Sequence, residues 1–304
     1  MDNLGDLRKN YKQMKKLSFG KEPNTMRKYL LIFLSMVFLL SFFNPAAAEK
    51  AQEKGEEKSN SSKQENTTKY KIPDSVMNIT KENTYPNPTE DLPFLQPSDL
   101  TKELISTSKV KIQNPDLIRL MNETTINSTP FALGYRAIVY LGEWPLNYES
   151  TETSPNWEYQ KINTNYYDNR GGKSPYQIHY VQEQQKTVKG GLTSKIKNAE
   201  DVQKMMMLTA AKKTGLPLSF ETIVGAGTKK DQIYNIQPKM LGYLYAHAPA
   251  INEKGKVTFG EVYLMLKGSK KFIVVKNVTS QGIGAWIPIQ DHVSFSFMAS
   301  ERPR

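Results

Sequence analysis

Strands with alternating apolar and polar residues dominate the second half of the chain. In residues 292–298, Val293, Phe295 and Phe297 alternate with polar residues, which predicts a strand with one buried and one exposed face. Residues 241–248 fit either a helix or a strand. The other predicted strands are 131–141, 159–167, 176–189, 219–228, 232–238, 256–267, 271–278 and 283–289.

Turn residues predict how these strands connect. Gly142 and Pro145 should end the first strand, whose apolar residues on both sides predict burial of both faces. Residues 168–172 should form a turn, because asparagine and glycine tolerate positive φ. Residues 219–228 and 232–238 form a predicted hairpin, and the last four strands form a predicted meander.

Two short helices are predicted before the strands. Ser98 can cap a helix over residues 99–105. Asn114 can cap a second helix that has Pro115 at its first position. We expect both helices to be peripheral.

A longer helix is predicted between the strands. Asn198 should cap it, with Asp201 at the capping-box offset, and Gly215 should end it. Its methionines at 205–207 are expected to pack in the core. The predicted fold class is therefore α+β, a mostly antiparallel β-sheet with one well-capped helix packed on it and short N-terminal helices.

The N-terminal region has the pattern of a secretory signal. Arg27 and Lys28 precede an apolar run over residues 30–43, and three alanines end at Ala48. The run is shorter than the roughly 17–25 residues that span a bilayer. We therefore predict a signal peptide at 26–48 with cleavage between Ala48 and Glu49; the alternative is an uncleaved membrane anchor. Residues 1–25 are a polar, basic extension, interpreted as a misplaced start or a long n-region.

Composition defines the remaining organisation. Residues 49–72 are charged and polar and are predicted to be a disordered linker before a single domain at 73–304. The chain carries a formal charge of +11, of which residues 1–48 hold +5 and the exported part +6. Such a protein, secreted or held in a Gram-positive cell envelope, could bind a wall polyanion, a glycan or an envelope protein. We expect no nucleic-acid partner, and membrane contact only through an uncleaved signal.

Short catalytic and cofactor motifs occur in the sequence, but their predicted structural contexts do not match those of the enzymes that use them. Serine–lysine motifs of penicillin-binding enzymes occur at residues 106–109, 154–156 and 213–215, but the last should end a helix rather than lie on a strand. The chain has no cysteine and three widely separated histidines, His179, His247 and His292. We therefore predict no catalytic residues, no cofactor and no metal site. Carboxylates that leave glycan hydrolysis open are Glu143, Glu158, Glu221, Glu261 and Asp291.

An aromatic hairpin over residues 157–180 is the predicted binding surface. Its aromatic and basic side chains could stack on sugar rings or on a peptide. The alternative is an ordinary pair of strands with aromatic residues on both faces. The predicted surface residues are Trp157, Tyr159, Tyr166, Tyr167 and Arg170.

The layout of the chain resembles a known family. The exported start, the charged linker, the strand sequence AIVYLGEW at residues 137–144 and the closing strands resemble the YfkD-like proteins of Bacillus and its relatives. That resemblance covers about residues 72–300 and implies an exported protein of unassigned activity, with no functional residues to carry over. We therefore expect a non-enzymatic binding or structural module; the alternative is an envelope hydrolase that acts on peptidoglycan or another glycan through carboxylates.

Overall fold

A computed structural model describes residues 70–84, 96–124, 134 and 136–304. The fold is α+β and mostly antiparallel sheet, as the sequence predicted. The strands are β1 (Val76–Asn78), β2 (Arg136–Asp168), β3 (Tyr176–Val181), β4 (Lys186–Lys189), β5 (Gly191–Leu192), β6 (Glu221–Val224), β7 (Lys229–Ile236), β8 (Leu241–Lys267), β9 (Lys270–Pro288) and β10 (His292–Ser300). The described helices are α1 (Asp99–Ser106), α2 (Pro115–Asn122) and α3 (Ala199–Thr214).

Strand β8 is the centre of the main sheet. Along one edge it pairs with β2 over its whole length. Along the other edge its first part pairs with β10 and its second part with β9. The edge strands β1 and β5 pair with β10 and β9, and two further ladders join β3 to β7 and β4 to β6. Every described pairing is antiparallel.

The closing strands are longer than predicted. Residues 241–248 and 256–267 form one strand, β8, and residues 271–278 and 283–289 fall almost entirely in one strand, β9. The predicted meander is wrong, because β10 pairs with β8 and not with its chain neighbour β9. In β10 the buried face is confirmed at Val293 and Phe295. Ser294, predicted to be exposed, is also buried, where β1 and β8 flank it.

Strand β2 continues through the two residues that were expected to end it. The register of β2 against β8 shifts by one residue just before Gly142 and again just after Pro145, so each of these residues lies beside a bulge. Gly142 has a φ of 114°, a conformation that a side chain would strain. Burial of both faces was also a wrong prediction, because Ile138 and Tyr140 are more than half exposed.

Both hairpins predicted around the small strands are wrong. The segment 219–228 contains β6, which pairs with β4, whereas β7 pairs with β3. The aromatic segment 157–180 is no hairpin either, because β2 pairs with β8. The predicted strand 176–189 is divided into β3 and β4. A turn does form at Arg170 and Gly171, although its residues do not use positive φ.

The short helices have the predicted caps but are not peripheral. The Ser98 hydroxyl accepts a hydrogen bond from the Thr101 amide, and Asn114 Oδ1 accepts bonds from the amides of residues 116 and 117. The helices bury Leu104 and Leu117 against one end of the sheet. A hydrophobic core thus lies beneath α1 and α2, because each helix has an apolar face that the sheet covers.

Helix α3 ends as predicted and begins differently. Gly215 adopts the left-handed conformation with φ of 71°, and its amide donates to the Ala211 carbonyl. Asn198 is also left-handed, and its side chain makes no cap. Asp201 instead accepts a hydrogen bond from Asn114 Nδ2 at 3.0 Å, which ties α3 to α2. The predicted core packing of the methionines is confirmed for Met205 and Met206, which are buried, while Met207 is partly buried against the same core.

Two carboxylates meet where α2 and α3 begin. Burial opposes ionisation of Asp116, but the hydrogen bond and charge of Lys204, at 2.9 Å, lower its pKa. Burial and the neighbouring Asp116 together raise the pKa of Asp201. Asp116, Asp201 and Lys204 thus form a polar cluster that links α2 to α3.

Candidate functional site

The alternation of β8 places three polar rings on the side opposite a hydrophobic core. Leu244 and Ala246 are fully buried in the core that β8 shares with β3 and β7. Tyr243, Tyr245 and His247 therefore point to the other face of the strand. In the register of the sheet, Tyr243 lies opposite Tyr166 of β2, and Tyr245 opposite Thr164.

We call Tyr166, Tyr243 and Tyr245 the tyrosine row. The ring centroids of Tyr166 and Tyr243 are 5.0 Å apart with a 42° tilt, and those of Tyr243 and Tyr245 are 6.1 Å apart and nearly parallel. Tyr166 is 51% exposed, so one end of the row is open to solvent. At the other end the Lys161 ammonium lies 5.4 Å from the Tyr245 ring centroid.

An ion pair lies beside Tyr166. Arg170 donates from Nε and Nη2 to the two carboxylate oxygens of Asp168, at 3.0 and 2.7 Å. These hydrogen bonds lower the pKa of Asp168 and raise that of Arg170. Partial desolvation and the Asp168 charge raise the pKa of Tyr166, which keeps its hydroxyl protonated. The Arg170 fork is occupied by Asp168, so a ligand could use only the remaining guanidinium N–H groups and the free lone pairs of the carboxylate.

His247 continues the line beyond Tyr245. Burial lowers the pKa of His247, the nearby Lys161 lowers it further, and the charge of Glu158 opposes both. Its Nδ1 is buried and has no hydrogen-bond partner among the described residues. The neutral imidazole of His247 therefore lies within reach of the charges of both Lys161 and the exposed Glu158.

The structure separates the five residues of the predicted aromatic surface. Tyr166 and Arg170 lie at the tyrosine row. Trp157 packs against the core beneath α3, and Tyr159 stacks on Trp286 at 5.3 Å. Tyr167 stacks on Tyr176, with centroids 3.4 Å apart, and packs against the core of β3 and β7.

Sequence reasoning missed the residues that β8 contributes. Residues 241–248 fit either a helix or a strand, so the sequence alone does not predict which way their side chains point. The alternation of Tyr243, Tyr245 and His247 was the available signal, because polar aromatic residues two apart share one face of a strand. Lys161 joins them only through the pairing of β2 with β8.

Of the carboxylates considered for hydrolysis, Glu143 and Glu261 lie directly opposite each other in the register of β2 and β8. Each of the two is engaged by another side chain. Glu143 pairs with Lys197 at 3.0 Å, and Glu221 pairs with Lys189 at 3.2 Å. Glu261 accepts a hydrogen bond from the Tyr263 hydroxyl, which lowers the pKa of Glu261. Within the described ranges, no cluster of three or more histidines and carboxylates could hold a metal ion.

A buried acid that the sequence did not single out lies midway along β8. Glu253 is fully buried and accepts hydrogen bonds from the Tyr148 hydroxyl at 2.8 Å and the Thr153 hydroxyl at 2.6 Å. Burial, reinforced by the Glu253 charge, raises the pKa of Tyr148. Gly255 is required beside them, since a Cβ there would overlap Tyr148.

An open cleft of about 370 Å³ lies near Glu253 in the chain, but the Glu253 side chain does not line it. Lys254 lines it, whereas Glu253 points from the same strand into the core. The acid is therefore satisfied internally and does not face a ligand. The cleft is lined by Thr151, Thr193, Ser194, Lys254, Gly255, Gly282, Ile283 and Gly284.

The N-terminal predictions fall mostly on undescribed residues. The predicted extension and signal peptide, with its cleavage position between Ala48 and Glu49, lie outside the described residues. Of the predicted linker, residues 70–72 are described, and the Tyr70 hydroxyl donates to the Thr153 carbonyl oxygen. Helices long and apolar enough to cross a membrane were sought in the described part of the chain, and none was found.

Sequence comparison places the chain among known proteins. The model of the family described as YfkD-like protein matches residues 73–304. The chain is 65% identical to a Bacillus subtilis (strain 168) protein named "Uncharacterized protein YfkD", over 235 residues that cover 77% of this chain and 89% of that relative. No solved structure matches the chain. The chain belongs to the YfkD-like protein family.

Proposed function

We propose that this protein is an exported, non-enzymatic component of the cell envelope that binds a glycan along the tyrosine row. The signal-like pattern at residues 26–48 and the net charge of the following region support an envelope location. The chemistry of the row supports a ligand rich in hydroxyl groups. The wall glycan is the polymer of that kind which a protein outside a Gram-positive membrane meets.

The balance of charge at the row carries this proposal. Arg170 is paired with Asp168, and Lys161 shares its surroundings with Glu158. Sugar hydroxyls donate and accept hydrogen bonds, so they use cations and carboxylates together. Because the two acids offset the two cations, a polyanion would gain no net attraction here, whereas a neutral sugar chain needs none.

The rings of the row add an apolar contribution. Tyr166 is 51% exposed and sits between the ion pair and the stacked rings of β8. Tyrosine offers an apolar ring for the face of a sugar and a hydroxyl for its edge. The row also rests on a packed core, which holds the rings in a fixed arrangement.

Binding to wall glycan tests the proposal. Purified sacculi stripped of attached polyanions are incubated with the full-length chain and its Tyr166→Ala variant, and the bound fraction is measured by co-sedimentation. We expect the variant to bind about tenfold more weakly, which corresponds to about 1.4 kcal/mol. Tyr140→Ala, which removes another exposed tyrosine far from the row, is the matched control and should bind like the unmodified chain.

Salt separates this proposal from binding to a polyanion. Raising the salt concentration from about 0.1 M to about 1 M shortens the Debye length from about 10 Å to about 3 Å. Glycan binding through hydrogen bonds and ring contacts should change little over this range. Equal binding by Tyr166→Ala and the unmodified chain, or binding only to sacculi that retain their polyanions, contradicts the proposal.

A further inference from the structure

A second exposed surface lies at the far end of the sheet, where β2, β8 and β9 run side by side. Ile138, Met265 and Phe272 lie opposite one another in adjacent strands. The next row in the same direction contains Tyr140, Tyr263 and Val274. We call these six side chains the hairpin face, because β8 and β9 form a hairpin there.

The other side of β8 and β9 is covered, whereas Val139 of β2 on that side is 44% exposed. Val262, Leu264 and Ile273 alternate with the residues of the hairpin face and are buried beneath α1 and α2. The hairpin face therefore points away from the helices. Ile138 is 64% exposed and Tyr140 is 56% exposed. Large apolar side chains clustered on an open surface indicate a binding surface.

Cations border the hairpin face at both ends. Arg136, Lys267 and Lys270 form the row next to the turn, in register with each other and on the same face. At the opposite end the Lys276 ammonium lies 4.9 Å from the Tyr263 ring centroid. The acids at this end are Glu261, which accepts a hydrogen bond from the Tyr263 hydroxyl, and its register partner Glu143. Cations thus outnumber acids around an apolar centre.

We propose that the hairpin face docks on the surface of a bilayer that contains anionic lipids. Apolar side chains can enter the boundary between headgroups and acyl chains, and tyrosine is favoured at that depth. The lysines and the arginine around them would contact lipid phosphates. Sequence reasoning had expected membrane contact only through an uncleaved signal, so this surface adds a second point of contact.

The charge distribution favours a lipid surface over a second copy of the chain. A two-fold pairing of hairpin faces would bring together four cations from each copy, with only Glu143 and Glu261 of each copy to offset them. Such an interface would bury an excess of positive charge, which is costly. An anionic bilayer complements every cation of the border at once. The inference is independent of glycan binding at the tyrosine row.

A local fluorescent reporter tests the proposal in the full-length chain. The chain contains no cysteine, so Ile138→Cys provides a single attachment point for an environment-sensitive fluorophore. The matched control is Thr164→Cys, which labels the tyrosine row. A local reporter is needed because the apolar segment 30–43 could itself associate with vesicles.

With phosphatidylglycerol vesicles we expect a blue shift at position 138 and none at position 164. The shift should be absent with phosphatidylcholine vesicles and should be reversed by about 1 M salt, where the Debye length is about 3 Å. Adding Lys267→Glu and Lys270→Glu to the labelled chain should weaken the vesicle affinity at least about tenfold.

Other outcomes overturn the proposal. No shift at position 138 would exclude insertion of the hairpin face. An equal, salt-resistant shift with phosphatidylcholine would remove the role of the cations. A shift that grows with protein concentration in the absence of vesicles would mean that a second copy covers the face. Circular dichroism of the labelled variants checks that each is folded.

Discussion

The tyrosine row, which is exposed at Tyr166, and the hairpin face are two surfaces of one sheet with opposite chemistry. In the row, rings contact one another, and Arg170 and Lys161 each have an acid nearby. In the hairpin face, four of the six side chains are aliphatic or phenylalanine, and basic residues border them. The row is suited to a ligand with hydroxyl groups, and the hairpin face to an apolar, negatively charged surface.

The difference shows how residue type decides what an open strand face does. Both surfaces arise from the same alternation, in which every second side chain of β8 enters a core. In the tyrosine row, the chain itself covers the central ring: Tyr243 is buried, and its hydroxyl accepts a hydrogen bond from the Arg304 amide. An open face that carries isoleucine, methionine and phenylalanine loses favourable burial unless a partner covers it. The hairpin face is therefore the stronger indication of a docking surface.

The largest expected effect distinguishes the two sides of the hairpin. Leu264 is buried beneath α1 and α2, and its neighbour Met265 lies on the hairpin face. We expect Leu264→Ala to lower the free energy of unfolding by about 2–5 kcal/mol, because it leaves a cavity. Met265→Ala, the matched control, should change it by less than about 1 kcal/mol. Urea unfolding measures both, and equal losses would mean that the hairpin face is packed.

A second prediction asks whether the two surfaces belong to one cooperative unit. Glu253 lies between them on β8, and Glu253→Ala would leave the Tyr148 hydroxyl buried without its acceptor. We expect a loss of about 1–3 kcal/mol. Unfolding should be followed with fluorophores at Thr164→Cys and Ile138→Cys, each combined with the alanine change. Coincident transitions support one unit, and separate transitions contradict it.

A smaller effect concerns the row alone. The pKa of His247 is lowered from its ordinary value of 6.5 by burial, so the unfolded chain binds a proton more readily than the folded one. The stability that depends on neutral His247 is complete above pH 6.5 and decreases as the pH falls towards the folded-state pKa. We expect His247→Gln to reduce this loss, as seen in the melting temperature between neutral and mildly acidic pH. An unchanged pH dependence would refute the role of His247.

The sequence predicted the features that depend on neighbouring residues. Ser98, Asn114 and Gly215 act as caps as expected, because capping depends on a few adjacent backbone groups. Asn198 was the exception, because its side chain takes a tertiary contact with the Glu143 carbonyl instead. The buried face of β10 was also predictable from alternation.

The features that depend on distant pairing were not predictable. Gly142 and Pro145 look like strand ends in sequence, but bulges against β8 allow β2 to continue. The tyrosine row needs Tyr166 and Tyr243 in register, and the hairpin face needs three strands in register. Residue types alone had therefore suggested a local hairpin at 157–180, where the structure pairs β2 with β8 instead.

The most direct test of the account exposes both labelled chains to both ligands. The fluorophore at Thr164→Cys and the fluorophore at Ile138→Cys are each titrated with stripped sacculi and with phosphatidylglycerol vesicles. The account predicts a crossed result, in which sacculi change only the signal at position 164 and vesicles change only the signal at position 138. A ligand that changes both signals equally, or neither ligand changing either signal, would contradict the assignment of two surfaces with two partners.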